Sequence, residues 1–285
     1  MTHISVEISL VALLPALALC AYIYWKDRVE KEPLGLLSLL FAAGAIAYLP
    51  ALWLEGLVSG GIDALFADAI THNAQGLASF VSDGARLGHG ALYAFGGIAP
   101  VEEALKWGLL FLLTHRSKHF NCLFDGIVYG AFVALGFAAA ENLYYAWMNG
   151  WDTLLLRTVT SVPSHLFFGI LMGYCYTMWH TYRAAAKAEE SLLEAGRIQQ
   201  RKIHSSGLWL GLSLVAPLLL HGIYTFTASI PNRTMTVVFY VLVAVLYVLC
   251  FIGINRISRH DGAADKISNY IVARKHPELG GNADE

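Results

Sequence analysis

Residues 123–147 read LFDGIVYGAFVALGFAAAENLYYAW, a long apolar run that holds only two carboxylates. A helix of about 20 apolar residues crosses the hydrocarbon core of a bilayer, which is about 30 Å thick. The run is therefore long enough to span a membrane. Further runs of this kind lie at 4–25, 34–54, 87–113, 154–182, 207–228 and 234–254. The sequence predicts an all-α, polytopic membrane protein in which residues 1–258 form one bundle of about seven transmembrane helices.

The composition supports this fold class. Hydrophobic residues make up 56% of the 285 residues and charged residues 14%, and the mean hydropathy is +0.53. An ordinary soluble domain has about 25% charged residues. These values exclude a cytosolic globular enzyme, a disordered chain and a disulfide-rich secreted domain. The cysteines are far apart in or beside apolar runs, as expected of small buried hydrophobes (Cys20, Cys122, Cys175 and Cys250).

The distribution of Lys and Arg predicts the orientation, because cytoplasmic loops carry an excess of both. Fifteen of them fall between spans one and two, three and four, and five and six, or after span seven. Only three, Arg86, Arg157 and Arg233, fall on the opposite side. We therefore expect the N-terminus outside and the C-terminus in the cytoplasm.

Three segments lie outside the predicted spans. Residues 56–85 carry apolar residues at helical spacing, which indicates a short outer amphipathic helix, either on the membrane surface or as an ordinary loop helix. Residues 183–204 are polar and helix-prone, so they are expected to extend span five. The stretch 259–285 has no packing signal and is expected to be a mobile cytoplasmic tail.

The third span contains an unusual polar sequence, FGGIAPVEEALKW at 95–107. Its glycines and Pro100 disfavour a straight helix, so we expect a break or kink just before Glu102 and Glu103. Lys106 follows these residues by four and three positions and can pair with either. Each charge costs about 2.5–3.5 kcal/mol within the membrane. A structural ion pair explains one glutamate but not two, so the pattern favours a functional site.

Other polar residues lie at similar depths in later spans. Glu141 and Asn142 lie near the end of the apolar run quoted above. His165 and His221 each follow a proline, in spans five and six. The small-residue stripe Gly126, Gly130, Ala134 and Ala138 indicates close helix packing.

Two chemistries fit the polar residues. In the first, His165, His221 and Glu103 bind a catalytic zinc ion, and a remaining glutamate acts as general base. In the second, a glutamate and a histidine activate water without a metal, and the other histidine with Asn142 stabilises an oxyanion. The candidate catalytic residues are therefore Glu102, Glu103, Lys106, Glu141 and Asn142.

At these positions the chain resembles the PrsW family of intramembrane proteases. The resemblance covers about 95–225 and rests on four ordered motifs: Glu102-Glu103-Ala104-Leu105-Lys106, Phe124-Asp125-Gly126 running to Glu141-Asn142, Ser164-His165 with Gly169, and His221. The related CAAX-prenyl proteases often have His-x-x-x-Asn at the last motif. Here the fourth residue after His221 is Thr225.

The resemblance implies hydrolysis of a peptide bond in a membrane-anchored protein. In the best-known family members the substrate looks like a single-pass anti-sigma factor, cut on its extracytoplasmic side. Three other functions fit the same residues: a proton-coupled transporter or channel using them as a relay, a ceramidase-like zinc hydrolase, and a purely structural role. Nothing in the sequence indicates nucleic-acid binding.

Overall fold

The structure is a computed structural model that describes residues 6–72, 78–204 and 206–280. It consists almost entirely of helices. Their bounds are α1 Val6–Lys26, α2 Leu34–Leu65, α3 Asp83–Leu92, α4 Ala99–Thr114, α5 Asp125–Asn149, α6 Trp151–Glu194, α7 Ser206–Ser229, α8 Arg233–Arg259 and α9 Ala264–Lys275. A π-helical segment, Tyr93–Ile98, joins α3 to α4, and 3-10 turns lie at Ala67–Ala69 and Pro277–Gly280. Strands β1 (Ile70–His72) and β2 (Ala78–Phe80) form an antiparallel hairpin.

Within the described residues, six helices are long and apolar enough to cross a membrane: α1, α2, α5, α6, α7 and α8. They match six of the predicted runs and confirm the all-α, polytopic fold class. The seventh run, 87–113, is divided among α3, the π-helical segment and α4, so the count of seven stays a prediction. The orientation also stays a prediction, and residues 4–5 of the first run lie outside the described residues.

The third run does not contain the break that its sequence predicted. The chain stays helical from Asp83 to Thr114, and its irregularity is the π-helical segment directly before α4. Ala99 N–H donates to the carbonyl of Ala94, five residues earlier. Pro100, in the first turn of α4, has no N–H to donate to the carbonyl four residues before it. A wider turn at this point keeps the helix continuous, and such turns are frequent at functional sites.

The segment 56–85 does not form the separate amphipathic helix that the sequence pattern indicated. Helix α2 instead continues to Leu65, and Phe66 is its C-cap. The β1–β2 hairpin follows, and α3 begins after Ser82, whose Oγ accepts from the N–H of Ala85 at 3.1 Å. Residues 73–77 lie outside the described residues.

The elements on the predicted cytoplasmic side are more ordered than the sequence suggested. Helix α6 extends beyond the predicted span to Glu194, which covers the first part of the predicted extension 183–204. The tail, expected to be mobile, forms α9, and Val272 packs with Ala185 and Ile203. The buried His276 ring bonds to Glu189 at 2.6 Å and to Glu278 at 2.9 Å, and these carboxylates raise the pKa of His276. These long-range contacts hold the tail against α6; residues 281–285 lie outside the described residues.

Helix α5 lies at the centre of the bundle, and most of its residues are buried between α1, α2 and α6. Its contact with α6 is unusually close. A Cβ on Gly173 would lie 2.0 Å from the carbonyl oxygen of Gly126, and one on Gly130 would lie 2.2 Å from that of Gly169. The first part of the predicted small-residue stripe is therefore a helix-packing surface. It places the polar residues of α5 and α6 within reach of one another.

We predict that Gly173→Ala lowers the free energy of unfolding by about 1–3 kcal/mol, because the new methyl group forces α5 and α6 apart. The measurement is the thermal midpoint of the detergent-solubilised protein. Gly253→Ala is the matched control, since a Cβ there meets nothing within 4 Å. Equal midpoints for the two variants would contradict the importance of this contact.

Candidate active site

Four predicted site residues from three helices meet at one point inside the bundle. Glu102, Glu103, His165 and His221 each offer one ligand atom, and these atoms all lie within 4.8 Å of one another. The closest pair is His221 Nδ1 and Glu103 Oε1, at 2.8 Å. The Nδ1 atoms of both histidines lie 4.0 Å from Glu102 Oε2. All four side chains are buried, with at most 3% exposed.

Local sequence features bring these groups together. Glu102 and Glu103 lie at the start of α4, directly after the π-helical segment. His165 and His221 lie deep within α6 and α7. Phe168 stacks on His221 with ring centroids 5.0 Å apart, and it also contacts the edge of His165. The Phe168 ring therefore holds both imidazoles in positions that face α4.

Lys106 is the positive charge of this cluster. Its Nζ donates to Glu102 Oε2 at 3.0 Å and to Glu103 Oε1 at 2.8 Å. It also lies 3.0 Å from His165 Nδ1 and 4.3 Å from the ring centroid of Phe137. The side chain is 1% exposed. One buried ammonium group thus contacts both carboxylates, each of which the i+3 and i+4 spacing had placed within its reach, and it also contacts one imidazole.

Glu141 does not join the four converging ligand atoms but orients one of them. Its Oε2 lies 3.0 Å from His165 Nε2. A carboxylate can only accept and an ammonium can only donate, so Nε2 carries the proton and Nδ1 presents its lone pair to Lys106. This arrangement directs a basic nitrogen of His165 into the cluster.

Arg157 adjoins the site but was not predicted as a site residue, because it was counted only among the basic residues of the outer side. It lies in the second turn of α6, and its Nη2 is 2.6 Å from Glu141 Oε2 and 3.0 Å from Ser161 Oγ. Its guanidinium group covers the ring of Tyr145 at 4.1 Å. The sequence did contain one signal for Arg157. It lies eight residues before His165, and residues four and eight positions apart share a helix face.

Asn142 does not reach the cluster. It follows Glu141 on α5 and therefore points about 100° away around the helix. Its Nδ2 donates to the carbonyl oxygen of Ala12 in α1 at 3.0 Å. The contact ties α5 to α1, and the predicted oxyanion role of Asn142 has no support in this geometry.

A cavity of about 400 Å³ adjoins the cluster. Glu102, Glu141, Arg157, His165 and His221 line it, together with residues from the facing ends of α7 and α8. Glu55 of α2, directly after the predicted span 34–54, lines it too. The cavity therefore adjoins a cluster that is otherwise enclosed by helices.

Comparison with known proteins identifies the family. A family model described as "PrsW family intramembrane metalloprotease" matches residues 32–252, most of the chain. The chain belongs to the PrsW family. It is therefore an integral, multi-pass membrane protein and a membrane-embedded peptidase that acts on a substrate protein in a membrane. The match favours the protease over the transporter or channel alternative.

The curated relatives are bacterial proteins named "Protease PrsW". The chain is 32% identical to the one from Oceanobacillus iheyensis over 214 residues, covering 74% of this chain and 78% of the relative. It is 30% identical to the one from Halalkalibacterium halodurans over 246 residues, covering 86% and 93%. The relative from Bacillus subtilis is 30% identical over 212 residues, covering 74% and 78%. No solved structure matches the chain.

We predict that Lys106→Met lowers the free energy of unfolding by about 3–5 kcal/mol in chelator-treated protein, because both buried carboxylates lose their cation. Thermal unfolding in detergent measures the effect. The double variant Glu102→Gln/Lys106→Met restores the charge balance and should recover part of the loss. A Lys106→Met midpoint equal to that of the wild type would show that the ammonium is not needed to bury the carboxylates.

Proposed function

We propose that the protein cleaves a peptide bond of a membrane-anchored protein by activating water at the Glu102, Glu103, His165 and His221 cluster. The observation that carries this proposal is the convergence of four buried ligand atoms beside a cavity. Carboxylates and imidazoles are the groups that proteins use for general acid–base catalysis of hydrolysis. Their burial in a water-excluding bundle strengthens their electrostatic effect on a reacting carbonyl group.

The donor set fits a zinc ion. Histidine nitrogens and carboxylate oxygens are common zinc ligands. Glu103 Oε2 is buried and accepts no hydrogen bond from the residues that the structure describes, which leaves a free acceptor at the cluster. We assign His165, His221 and Glu103 as the residues that would hold the metal. When bound, zinc would lower the pKa of a water molecule to about 7 and polarise the substrate carbonyl group.

The remaining residues then have distinct roles. Glu102 accepts a proton from the attacking water and delivers it to the nitrogen of the departing amine, so the carboxylate is regenerated. Lys106 limits the repulsion between Glu102 and Glu103. Glu141 is a positioning residue, since it fixes the tautomer and the orientation of His165 through Nε2.

A metal-free version of this chemistry is favoured by one specific observation. Lys106 Nζ already contacts Glu102, Glu103 and His165, so these atoms have a cation within hydrogen-bond distance. In that version Glu102 activates the water directly, and Lys106 and His221 stabilise the negative charge that develops on the carbonyl oxygen. Metal content separates the two mechanisms.

The substrate class follows from the family and from the position of the cavity. The cavity is lined by the C-terminal end of α7 and the N-terminal end of α8, including Ser229 and Thr236. The Lys and Arg distribution predicts that these ends face away from the cytoplasm. We therefore propose cleavage near the extracytoplasmic end of a membrane anchor. An anti-sigma factor is the substrate that the family resemblance suggests.

We predict that Glu103→Gln and His165→Ala abolish cleavage in cells while leaving expression and thermal stability measurable. Mass spectrometry of newly formed protein N-termini, compared between strains that carry each variant and the wild type, identifies the cleaved proteins directly. Glu194→Gln and His204→Ala are matched controls on exposed residues. Cleavage that persists in both site variants would refute the proposal.

Elemental mass spectrometry of the purified proteins tests the metal in the same set of variants. About one zinc per chain, lost in His165→Ala and His221→Ala, is the expected result. An active wild-type protein without metal would establish the metal-free mechanism instead.

We further predict that Arg157→Met weakens zinc binding by about 10–100-fold, because Glu141 loses its partner and no longer holds His165 in place. Competition with a fluorescent chelator measures the affinity without requiring a substrate. Arg157→Lys keeps the charge and should recover part of the affinity. An unchanged affinity in Arg157→Met would show that the Arg157–Glu141 pair is structural only.

A further inference from the structure

A second cavity, of about 520 Å³, lies next to the active-site cavity at the hairpin end of the bundle. Its lining comes from β2, from α3 and from the chain that follows α7, including Phe80, Arg86 and Ile230. Tyr93 and Ser229 line both cavities. The two cavities are therefore neighbours, and a polypeptide could occupy both at once.

Strand β2, beside this second cavity, has main-chain groups that do not hydrogen-bond to β1. Val81 N–H donates to the carbonyl oxygen of Ala69 at 3.0 Å, so these two residues form a hydrogen-bonded pair. Hydrogen-bonded and non-hydrogen-bonded pairs alternate along an antiparallel ladder. Phe80, paired with Ile70, is therefore a non-hydrogen-bonded position. Its N–H and C=O point away from β1, and among the described residues no other strand pairs with β2.

Side-chain contacts fix this strand relative to the catalytic helix. The ring of Phe80 lies 5.0 Å from that of His89 on α3, and His89 Nε2 is 2.7 Å from Asp63 Oδ1 on α2. His89 also stacks on Tyr93 at 6.3 Å. Helix α3 continues through the π-helical segment into α4, which carries Glu102. The contact between Phe80 and His89 therefore fixes the position of β2 relative to Glu102.

We propose that β2 and the cavity beside it bind an extended segment of the substrate next to the bond that is cut. The segment adds as a strand to β2 through the free main-chain groups of Phe80. A peptide bond within a helix is shielded by its neighbours, whereas an extended segment exposes its carbonyl group to the cluster. Main-chain pairing recognises an extended polypeptide of varied sequence, with small or apolar side chains facing Phe80 and Ile230. This inference rests on the proposed function.

Site-specific photo-crosslinking tests the location of the substrate. Benzoylphenylalanine replaces Phe80 in the Glu103→Gln background, which retains substrate without cutting it. The expected crosslinked partners are the same proteins whose new N-termini disappear in the Glu103→Gln strain. The control carries the crosslinker at Phe251, a residue of similar size exposed on α8. Capture of the cleaved proteins equally at both positions, or at neither, would overturn the inference.

A main-chain variant tests the mode of binding. Phe80→Pro removes the N–H that β1 does not use, whereas Phe80→Leu removes the ring and keeps the N–H. We expect Phe80→Pro to cleave about tenfold more slowly than Phe80→Leu, the equivalent of one lost hydrogen bond. Thermal midpoints of both variants establish that each is folded. Equal cleavage rates would refute strand addition while leaving the proposed protease intact, since cleavage would still depend on Glu103. Cleavage that persists in Glu103→Gln would instead refute the proposed function.

Discussion

Burying two adjacent ionised carboxylates in an apolar bundle is costly without a positive charge between them, and Lys106 supplies that charge. Its ammonium group contacts Glu102, Glu103 and His165, which belong to α4 and α6. His221 adds α7 to the same point through Glu103. The arrangement of these three helices is therefore coupled to the balance of charge among a few side chains. Removing one member of such a cluster leaves a buried charge without compensation. The free-energy cost of that unpaired charge is much larger than the net stabilisation that the intact ion pair provides.

The close contact of α5 and α6 gives this cluster its outer layer of support. Because Gly126 and Gly173 allow the two backbones to touch, Glu141 on α5 comes within hydrogen-bond distance of His165 on α6. Arg157 then neutralises Glu141 from one side. An orienting carboxylate behind a histidine is a common feature of metal sites in proteins. The glycines thus contribute to the geometry of the site although they take no part in its chemistry.

Sequence reasoning predicted the intramembrane polar residues well, because a charge within an apolar run has few structural explanations. Glu102, Glu103, His165 and His221 were all predicted and all converge. The same reasoning failed for residues near the ends of the spans. Arg157 was counted among the basic residues of the outer side, since the sequence alone does not show where a helix leaves the membrane. Asn142 was grouped with its neighbour Glu141, although adjacent residues on a helix face different directions.

The sequence by itself determined that this chain is a helical membrane protein with a Glu-Glu-x-x-Lys motif, because hydropathy and short-range spacing are local properties. It also determined that Lys106 can reach both glutamates, since i+3 and i+4 neighbours share a helix face. Only the tertiary structure decided which helices meet at the cluster, that α9 folds back onto α6, and that Arg157 lies behind Glu141. These arrangements depend on contacts between residues far apart in the chain. Such contacts are set by how the surfaces of whole helices fit together, and a local sequence pattern does not show that fit.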